Sequence, residues 1–317
     1  MTAANTEVTA LLRTMLLIRA VENHLVKLYA NSEVPGFIHL SIGQEAVAAG
    51  VMSALAAGDT MVTTHRGHGH VIARGIDTIR FFKELMGRAG GICGGRGGSM
   101  HVADLSLGIL GANGIVGAGL PIAAGSALAH QVRGSGAIAV AFFGDGAMAE
   151  GVVHETINLA ALWELPLLLV CENNGWSEFS PTSTQFRGQL SALAAAFSLD
   201  YECTDGNDVM AVADAARTAV ARARNGKPSV LECTTRRARG HFEGDRQKYR
   251  NPQELDEFDA HDPIALAIAK ALAAGVTAAA IAEARIRADE SVLSAVAEAR
   301  ADVLPVFAHA HDDVYSA

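Results

Sequence analysis

The stretch that decides the fold runs over residues 137–174 and reads AIAVAFFGDGAMAEGVVHETINLAALWELPLLLVCENN. It begins with a continuous apolar run that ends at Gly144, as is typical of a parallel strand buried on both faces. Apolar residues at helical spacing then extend from Glu150 to Trp163, and a second apolar run occupies residues 167–171. This stretch therefore predicts a strand, a crossover helix and a second parallel strand.

Two polar motifs follow these strands. Gly144-Asp145-Gly146 comes after the first strand and Asn173-Asn174 after the second, with 26 residues between them. Ligands of open parallel sheets bind beyond the carboxyl ends of the strands, so both motifs are expected to face one pocket. A carboxylate and an amide oxygen suit Mg²⁺, and glycines allow the backbone amides to approach a phosphate. Either motif alone is a common turn, but the pair predicts a site for a metal diphosphate.

The paired motifs resemble the thiamine diphosphate motif, and the surrounding sequence resembles the alpha subunits of 2-oxo acid and acetoin dehydrogenase decarboxylase components. The resemblance covers nearly the whole chain and implies the thiamine diphosphate-binding fold, an α/β fold in which helices flank a parallel sheet. Its further motifs, in order along the chain, are 36–46 (GFIHLSIGQEA), 64–70 (THRGHGH), 94–101 (GGRGGSMH), 111–117 (GANGIVG) and 240–250 (GHFEGDRQKYR).

The resemblance also implies roles for individual residues. The implied ligands of Mg²⁺ are Asp145, Asn174 and the backbone carbonyl of Trp176. The implied contacts to thiamine diphosphate are Arg66, Gly114, Val116, Gly144, Asp145, Gly146, Ala147, Asn174, Arg237 and His241. Within this set, the bulky apolar Val116 would hold the cofactor in a bent conformation. His241 and His65 are the implied catalytic residues.

Two positions depart from the pyruvate-type members of the family. His65 stands where mammalian pyruvate-type relatives have tyrosine, so the sequence favours the acetoin type. Phe242 stands where kinase-regulated relatives have a phosphorylatable serine. We therefore expect no phosphorylation control at this position.

The implied activity is the cleavage of acetoin, or of a 2-oxo acid such as pyruvate, with transfer of the acyl group to lipoamide. The chain leaves no room for a second domain of about 150 residues, so a beta subunit must supply the aminopyrimidine half. The resemblance implies an α2β2 heterotetramer with thiamine diphosphate and Mg²⁺ at each α/β interface, and a lipoyl-bearing acyltransferase as a further partner. Alternatives are an acyloin-forming carboligase subunit and a non-catalytic paralogue, the latter disfavoured by the intact site residues.

Two motifs also match other kinds of site. Glycines three residues apart in 111–119 resemble a dinucleotide-binding loop, but no apolar strand is evident in 94–108, which disfavours a nicotinamide site. The spacing of the histidines in 65–70 suits zinc, yet Arg66 among them prefers phosphate, which favours an anion-binding loop. His70 is expected to be structural. Weaker candidates for substrate contact are His39 and His101.

Composition excludes several other classes of protein. With 317 residues, 50% hydrophobic and 19% charged, the chain can bury the core of a large α/β domain. A net charge of −9 and the lack of a Lys/Arg block argue against nucleic-acid binding. Neither a signal peptide nor a membrane-spanning run is evident, so a cytoplasmic protein without membrane association is expected. The four cysteines are far apart and are expected to be small buried hydrophobes.

The predicted organisation has three parts. These are a helical arm (1–35), the diphosphate-binding α/β domain (36–260) and a helical tail (261–317). The arm is a predicted helix over 7–32 whose apolar face is expected to pack on a partner, and 229–234 is predicted as a late strand. The tail is predicted to begin at Asp262 and to break at 275–277. The predicted glycine-rich loops are 86–98, 111–119 and 144–146.

Overall fold

The computed structural model describes residues 3–256, 259–306, 308 and 311. Its strands are β1 Thr60–Thr64, β2 Ile109–Asn113, β3 Ala139–Gly144, β4 Leu167–Asn173, β5 Trp176–Ser177, β6 Ser180–Pro181, β7 Asp200–Asp205 and β8 Ser229–Thr234. Its helices are α1 Ala3–Ala30, α2 Glu45–Ser53, α3 His68–Ala73, α4 Thr78–Leu85, α5 Gly119–Arg133, α6 Gly151–Leu162, α7 Leu190–Ala196, α8 Val209–Arg224, α9 Pro252–Asp256, α10 Pro263–Ala273 and α11 Ala278–Ala301. Six strands form a parallel sheet in the order β2-β1-β3-β4-β8-β7, and β5 pairs with β6 in a short antiparallel hairpin.

The sheet is covered by helices on both faces. Successive side chains of β3 point to opposite faces, so Val140 and Phe142 join one part of the core and Ala141 and Phe143 join the other. Helices α5, α6 and α7 cover the second face, and the remaining long helices pack on the first. Burial on both faces explains why the central strands read as continuous apolar runs.

The predicted strand, crossover helix and strand are confirmed as β3, α6 and β4. In the pairing of β3 with β4, Gly144 lies opposite Glu172. The residues that follow each strand, Asp145 and Asn174, therefore emerge at the same edge of the sheet. The strand predicted at 229–234 is also confirmed, as β8.

The glycine-rich segment 111–119 is only partly the loop that was predicted. Strand β2 begins before it and extends to Asn113, and α5 begins at Gly119. The strand was missed because β2 is an edge strand with one fully buried residue, Ile109, and so has no apolar run. A strand therefore does lead into this loop. The sequence argument against a nicotinamide site, that no strand precedes the glycines, does not hold.

The expectation that the apolar face of the N-terminal helix packs on a partner is wrong. Helix α1 has 28 residues and lies against α2, α3, α10 and α11 of the same chain, where Met15, Ile18 and Leu25 are fully buried.

The two tail helices begin after Asp262 and Thr277, whose side chains cap them, as the sequence predicted for the start and the break. Among the described residues, no helix combines the length and the apolar character that crossing a membrane requires.

Candidate active site

A cavity of about 150 Å³ lies at the carboxyl ends of β1 to β4. The predicted site residues that line it are His65, Arg66, Val116, Gly144, Gly146, Ala147, Asn174, Trp176, Arg237 and His241. Two predicted residues are outside the lining. Asp145 is fully buried beneath it, between two glycines that line it, and Gly114 lies on the loop that carries Val116. The fold thus brings together segments that are far apart in the sequence.

Asp145 and Asn174 bring a carboxylate and a side-chain amide together at the carboxyl ends of β3 and β4. The carboxylate of Asp145 accepts hydrogen bonds from the Thr182 hydroxyl and, at 3.2 Å, from the backbone N–H of Asn174. The side chain of Asn174 donates to Gln44 at 3.3 Å and accepts from the backbone N–H of Trp176 at 3.1 Å. Burial raises the pKa of Asp145 to about 6. A divalent cation beside this carboxylate would favour its ionised form.

Two buried arginines face the same cavity. The guanidinium of Arg66 donates to the carbonyl oxygens of Leu40 and His241, and that of Arg237 donates to the Glu178 carbonyl at 3.2 Å. Burial lowers the pKa of both, with Arg66 at about 9. Within the described chain neither forms an ion pair with a carboxylate, and the Nε atom of Arg237 has no hydrogen-bond partner. Two unneutralised guanidinium groups suit a phosphate-bearing ligand.

Three histidines, His39, His65 and His241, form a cluster beside the arginines, here named the histidine triad. Their ring centroids lie 4.6 Å (His39–His65), 4.9 Å (His39–His241) and 5.5 Å (His65–His241) apart. Burial, followed by the charge of Arg66, lowers the pKa values to about 3 for His39, 2 for His65 and 4 for His241. All three rings are therefore neutral near pH 7. Among the described residues, the Nδ1 atoms of His39 and His241 lack hydrogen-bond partners.

The other histidines named in the sequence lie outside this cluster. His68 approaches Glu22 through Nδ1 and Ser99 through Nε2, so it does not converge with His65 on a metal. His70 is buried and stacks on Phe142 at 3.8 Å, as expected of a structural residue. His101 is exposed and does not line the cavity. His65, His68 and His70 therefore do not form a metal site with one another, and His65 groups instead with His39 and His241.

A loop network that holds Arg237 and His241 was not singled out from the sequence. Asp245 accepts hydrogen bonds from the backbone N–H of His241, at 2.8 Å, and from the hydroxyl of Tyr249. The same hydroxyl accepts from Arg237 at 3.1 Å. The only signal was the position of Asp245 and Tyr249 inside the 240–250 motif.

The same loop is connected through Glu254 to Trp176, which lines the cavity. Its carboxylate accepts from the indole N–H of Trp176 and from Arg250, each at 2.7 Å. The guanidinium of Arg250 also lies 5.7 Å from the centroid of the Trp176 ring. The loop therefore connects the arginine side of the cavity with the side that carries Asn174 and Trp176.

Of the four cysteines, Cys171 and Cys233 are the buried apolar residues that were expected. Cys93 is half-buried and Cys203 is exposed on the edge strand β7, so the expectation fails for these two. All four have free thiols.

Comparison with known proteins identifies the family. The model of the family described as "Dehydrogenase E1 component" matches residues 13–306. The chain is 48% identical over 252 residues to the alpha subunit of acetoin:2,6-dichlorophenolindophenol oxidoreductase from Bacillus subtilis, covering 78% of this chain and 76% of the relative. The corresponding subunit from Cupriavidus necator is 46% identical over 253 residues, with 78% and 75% covered. The pyruvate dehydrogenase E1 component subunit alpha of Zymomonas mobilis is 42% identical over 293 residues, with 90% and 81% covered. The chain belongs to the dehydrogenase E1 component family.

Proposed function

We propose that this chain is the alpha subunit of a thiamine diphosphate-dependent E1 component that cleaves acetoin or a short 2-oxo acid and passes the acyl group to lipoamide. The observation that carries the proposal is the pair of buried guanidinium groups, Arg66 and Arg237, which line the same cavity as Asn174, while the carboxylate of Asp145 is buried beneath it. Two cations without carboxylate partners next to two hard oxygen ligands are what a magnesium diphosphate requires.

The residues at the cavity fit this cofactor. Arg66 and Arg237 would bind the diphosphate, whose oxygens would satisfy the unpartnered Nε atom of Arg237. The proposed ligands of Mg²⁺ are Asp145, Asn174 and the backbone carbonyl of Trp176. The proposed backbone contacts come from Gly144, Gly146 and Ala147, and the aminopyrimidine would lie against Gly114 and Val116. Thiamine diphosphate, when bound, supplies the electron sink for breaking the bond beside the carbonyl group.

The histidine triad would orient the substrate and handle protons. His65 and His241 line the cavity as neutral rings, so each can donate one hydrogen bond to a substrate oxygen. Burial lowers the pKa of His241 most, and the charges of Arg66 and Arg237 lower it further. A bound diphosphate would offset those two charges and so remove part of this shift.

The proposed partners are a beta subunit, in an α2β2 heterotetramer, and a lipoyl-bearing acyltransferase. In support, the loop at the cavity mouth exposes Ile115 by 73% and Val116 by 49% in this chain. Aliphatic side chains at a cavity edge are a surface that a second subunit would bury. Such closure would also exclude water from the reacting groups.

Acetoin is the preferred substrate and pyruvate the second candidate. His65 in place of tyrosine favours the acetoin type, and the acetoin-named relatives have 48% and 46% identity against 42% for the pyruvate-named one. The assay is reduction of 2,6-dichlorophenolindophenol by the chain together with its beta subunit. A higher kcat/KM with acetoin than with pyruvate supports this order, and the reverse result makes pyruvate the substrate.

The direct test is calorimetric binding of thiamine diphosphate with Mg²⁺ to the chain alone and to its mixture with the beta subunit. We expect tight binding only in the mixture, because the chain supplies half of the cofactor site. Equal binding by the chain alone would contradict the interfacial site. Failure to bind in both samples would contradict the cofactor and favour the non-catalytic alternative.

A further inference from the structure

Glu84, in the last turn of α4, is fully buried and binds a loop of glycines with its carboxylate. We name residues 91–98 (GICGGRGG) the glycine loop. The Oε2 atom accepts from the backbone N–H groups of Cys93 and Gly95, both at 2.8 Å. The Oε1 atom accepts from those of Gly97, at 2.7 Å, and Gly98, at 3.0 Å. One carboxylate thus organises four backbone amides.

Other contacts also hold the glycine loop. Ile92 packs on the core, Cys93 contacts the carbonyls of His101 and Ala103 through its sulfur, and the backbone N–H of Gly94 donates to Gly91 at 3.1 Å. The backbone packs closely at two of the glycines. A Cβ atom at Gly95 would lie 2.4 Å from the carbonyl oxygen of Arg88, with φ at +74°. One at Gly91 would lie 2.5 Å from the carboxylate of Glu84 itself. Four backbone N–H groups of the loop converge on this one carboxylate, so Glu84 is a principal support of the loop.

The loop leads directly into two walls of the cavity. Ser99, the next residue, places its hydroxyl 2.7 Å from Nε2 of His68, which heads α3 two residues after Arg66. The sulfur of Met100 lies 4.0 Å from the position that a Cβ atom would take at Gly114, so Met100 lies near that glycine. The two residues that follow the glycine loop therefore bond the segment that carries Arg66 and lie near the loop that carries Val116.

We propose that Glu84 is a positioning residue of the active site. By holding the glycine loop, it sets Ser99 against His68 and Met100 against the cavity loop at Gly114. The control of the loop by Glu84 follows from the contacts alone. Its effect on cofactor binding rests on the proposed function, and the two parts are tested by separate measurements.

The first test is limited proteolysis of the full chain by trypsin. Glu84→Gln keeps the size of the side chain but turns an NH2 group toward two of the amides, which leaves donor facing donor. Arg96 is exposed within the glycine loop, and Arg187 is exposed in a distant loop that serves as internal reference. We expect cleavage after Arg96, relative to Arg187, to rise about tenfold because the loop opens more often. An unchanged ratio would overturn the proposal.

A matched control is Asp59→Asn. Asp59 is also a fully buried carboxylate that accepts two backbone amides, those of Ala56 and Ile138, but it precedes β1 at the opposite end of the sheet. This variant should lower the melting temperature without changing the relative cleavage at Arg96. A rise in cleavage equal to that of Glu84→Gln would mean that general destabilisation is the cause.

Gly95→Ala disturbs the same loop while leaving Glu84 intact, and it serves if Glu84→Gln does not fold. It should raise the relative cleavage at Arg96 by a similar factor, since its Cβ atom collides with the backbone of Arg88. The control is Gly136→Ala, which has a similar φ of +71° but no atom within 4 Å of its Cβ position. Cleavage at Arg96 unchanged in Gly95→Ala would overturn the proposal.

The second measurement is the Kd of thiamine diphosphate with Mg²⁺ for the complex with the beta subunit. We expect Glu84→Gln to weaken binding about tenfold, which is a free-energy loss of about 1.4 kcal/mol, and Asp59→Asn to leave it unchanged. Faster cleavage at Arg96 with wild-type affinity would overturn the positioning role. A wild-type complex that binds no cofactor would instead contradict the proposed function, while the proteolysis result would still decide whether Glu84 holds the loop.

Discussion

At the scale of single residues, burial sets the chemistry of the site. It raises the pKa of Asp145 to about 6 and lowers the pKa values of the histidine triad, so the cavity holds neutral rings and two cations. Arg66 and Arg237 remain charged because guanidinium is so basic that even a pKa of about 9 at Arg66 leaves it protonated near pH 7. The electrostatic balance therefore favours an anionic ligand.

Removal of Asp145 should abolish binding of the cofactor that depends on Mg²⁺. Asp145→Ala deletes a hard oxygen ligand, and we expect a loss of at least about 100-fold in affinity, with the circular dichroism spectrum unchanged. The control is Asp200→Ala, an exposed carboxylate on the edge strand β7. Calorimetry that returned wild-type affinity for Asp145→Ala would disprove the metal ligand.

The histidine triad should make the chain less stable as the pH falls below about 6.5. The unfolded chain protonates these rings near 6.5, whereas the folded chain does not until about 2 to 4. The unfolded state then binds more protons, so stability is lost progressively as the pH falls from the unfolded pKa toward the folded ones. His65→Gln removes one of these protonation sites, and its melting temperature should fall less steeply between pH 6.5 and 5. Parallel melting curves for the two proteins would contradict the buried neutral state of His65.

At the scale of elements, the N-terminal helix is part of the core of this chain. Arg19 of α1 forms ion pairs with Glu45, at the start of α2, and with Asp262, which caps α10. The apolar side of α1 packs against the same helices. These contacts join the beginning and the end of the chain, so α1 should stabilise the chain before any partner binds.

The position of α1 can be tested by unfolding the isolated chain in urea. Leu25→Ala removes a fully buried side chain and should lower the free energy of unfolding by about 2–5 kcal/mol. Leu293→Ala, at a site 56% exposed on α11, should change it by less than about 0.5 kcal/mol. If Leu25→Ala destabilises only the complex with the beta subunit, the helix is held by the partner after all.

The loop between β2 and α5 should control the rate more than the affinity. Val116→Ala shortens the side chain proposed to hold the cofactor bent, so we expect kcat to fall about 10- to 100-fold with little change in the Kd of thiamine diphosphate. Val132→Ala, at the exposed end of α5, is the control. An unchanged kcat would show that another residue sets the bend.

At the scale of the whole molecule, the sheet collects the site. Segments from residues 39 to 241 reach one edge of the sheet because all of its pairings are parallel. The resulting cavity remains lined on one side by an exposed loop, which fits a site completed by another subunit. Helix α1 of the arm packs on helices α10 and α11 of the tail, so neither part is seen as a separate unit. The predicted boundaries at residues 35 and 260 therefore stay predictions.

The assembly itself is testable by light scattering. The chain has a mass of 33.0 kDa, and a mixture with the beta subunit should give a complex with two copies of each chain. We expect Asp145→Ala to form the same complex, since the residue is buried beneath the cavity and not on its rim. A stable complex with one copy of each would contradict the proposed stoichiometry.

The parts of the protein that could be predicted are those encoded by a pattern within a short stretch of adjacent residues. The paired motifs ending at Asp145 and Asn174 identified the edge of the sheet, because a parallel strand, its turn and its crossover helix are encoded by adjacent residues. Strand β2 escaped prediction because an edge strand needs no apolar run. The apolar face of α1 was recognised, but the helices that cover it include two, α10 and α11, that are more than 200 residues away.

By itself, the sequence determined the fold class, the order of the central strands and helices, the resemblance to E1 components and ten of the residues that line the cavity. Only the tertiary structure decided that His39 joins His65 and His241, that Arg237 is held by Tyr249, and that Glu84 carries the glycine loop. The physical reason is that periodicity and turn motifs act locally along the chain. Contacts between distant loops leave no pattern in the sequence. The same holds for hydrogen bonds from backbone N–H groups to a carboxylate, because nearly every residue has such an N–H group.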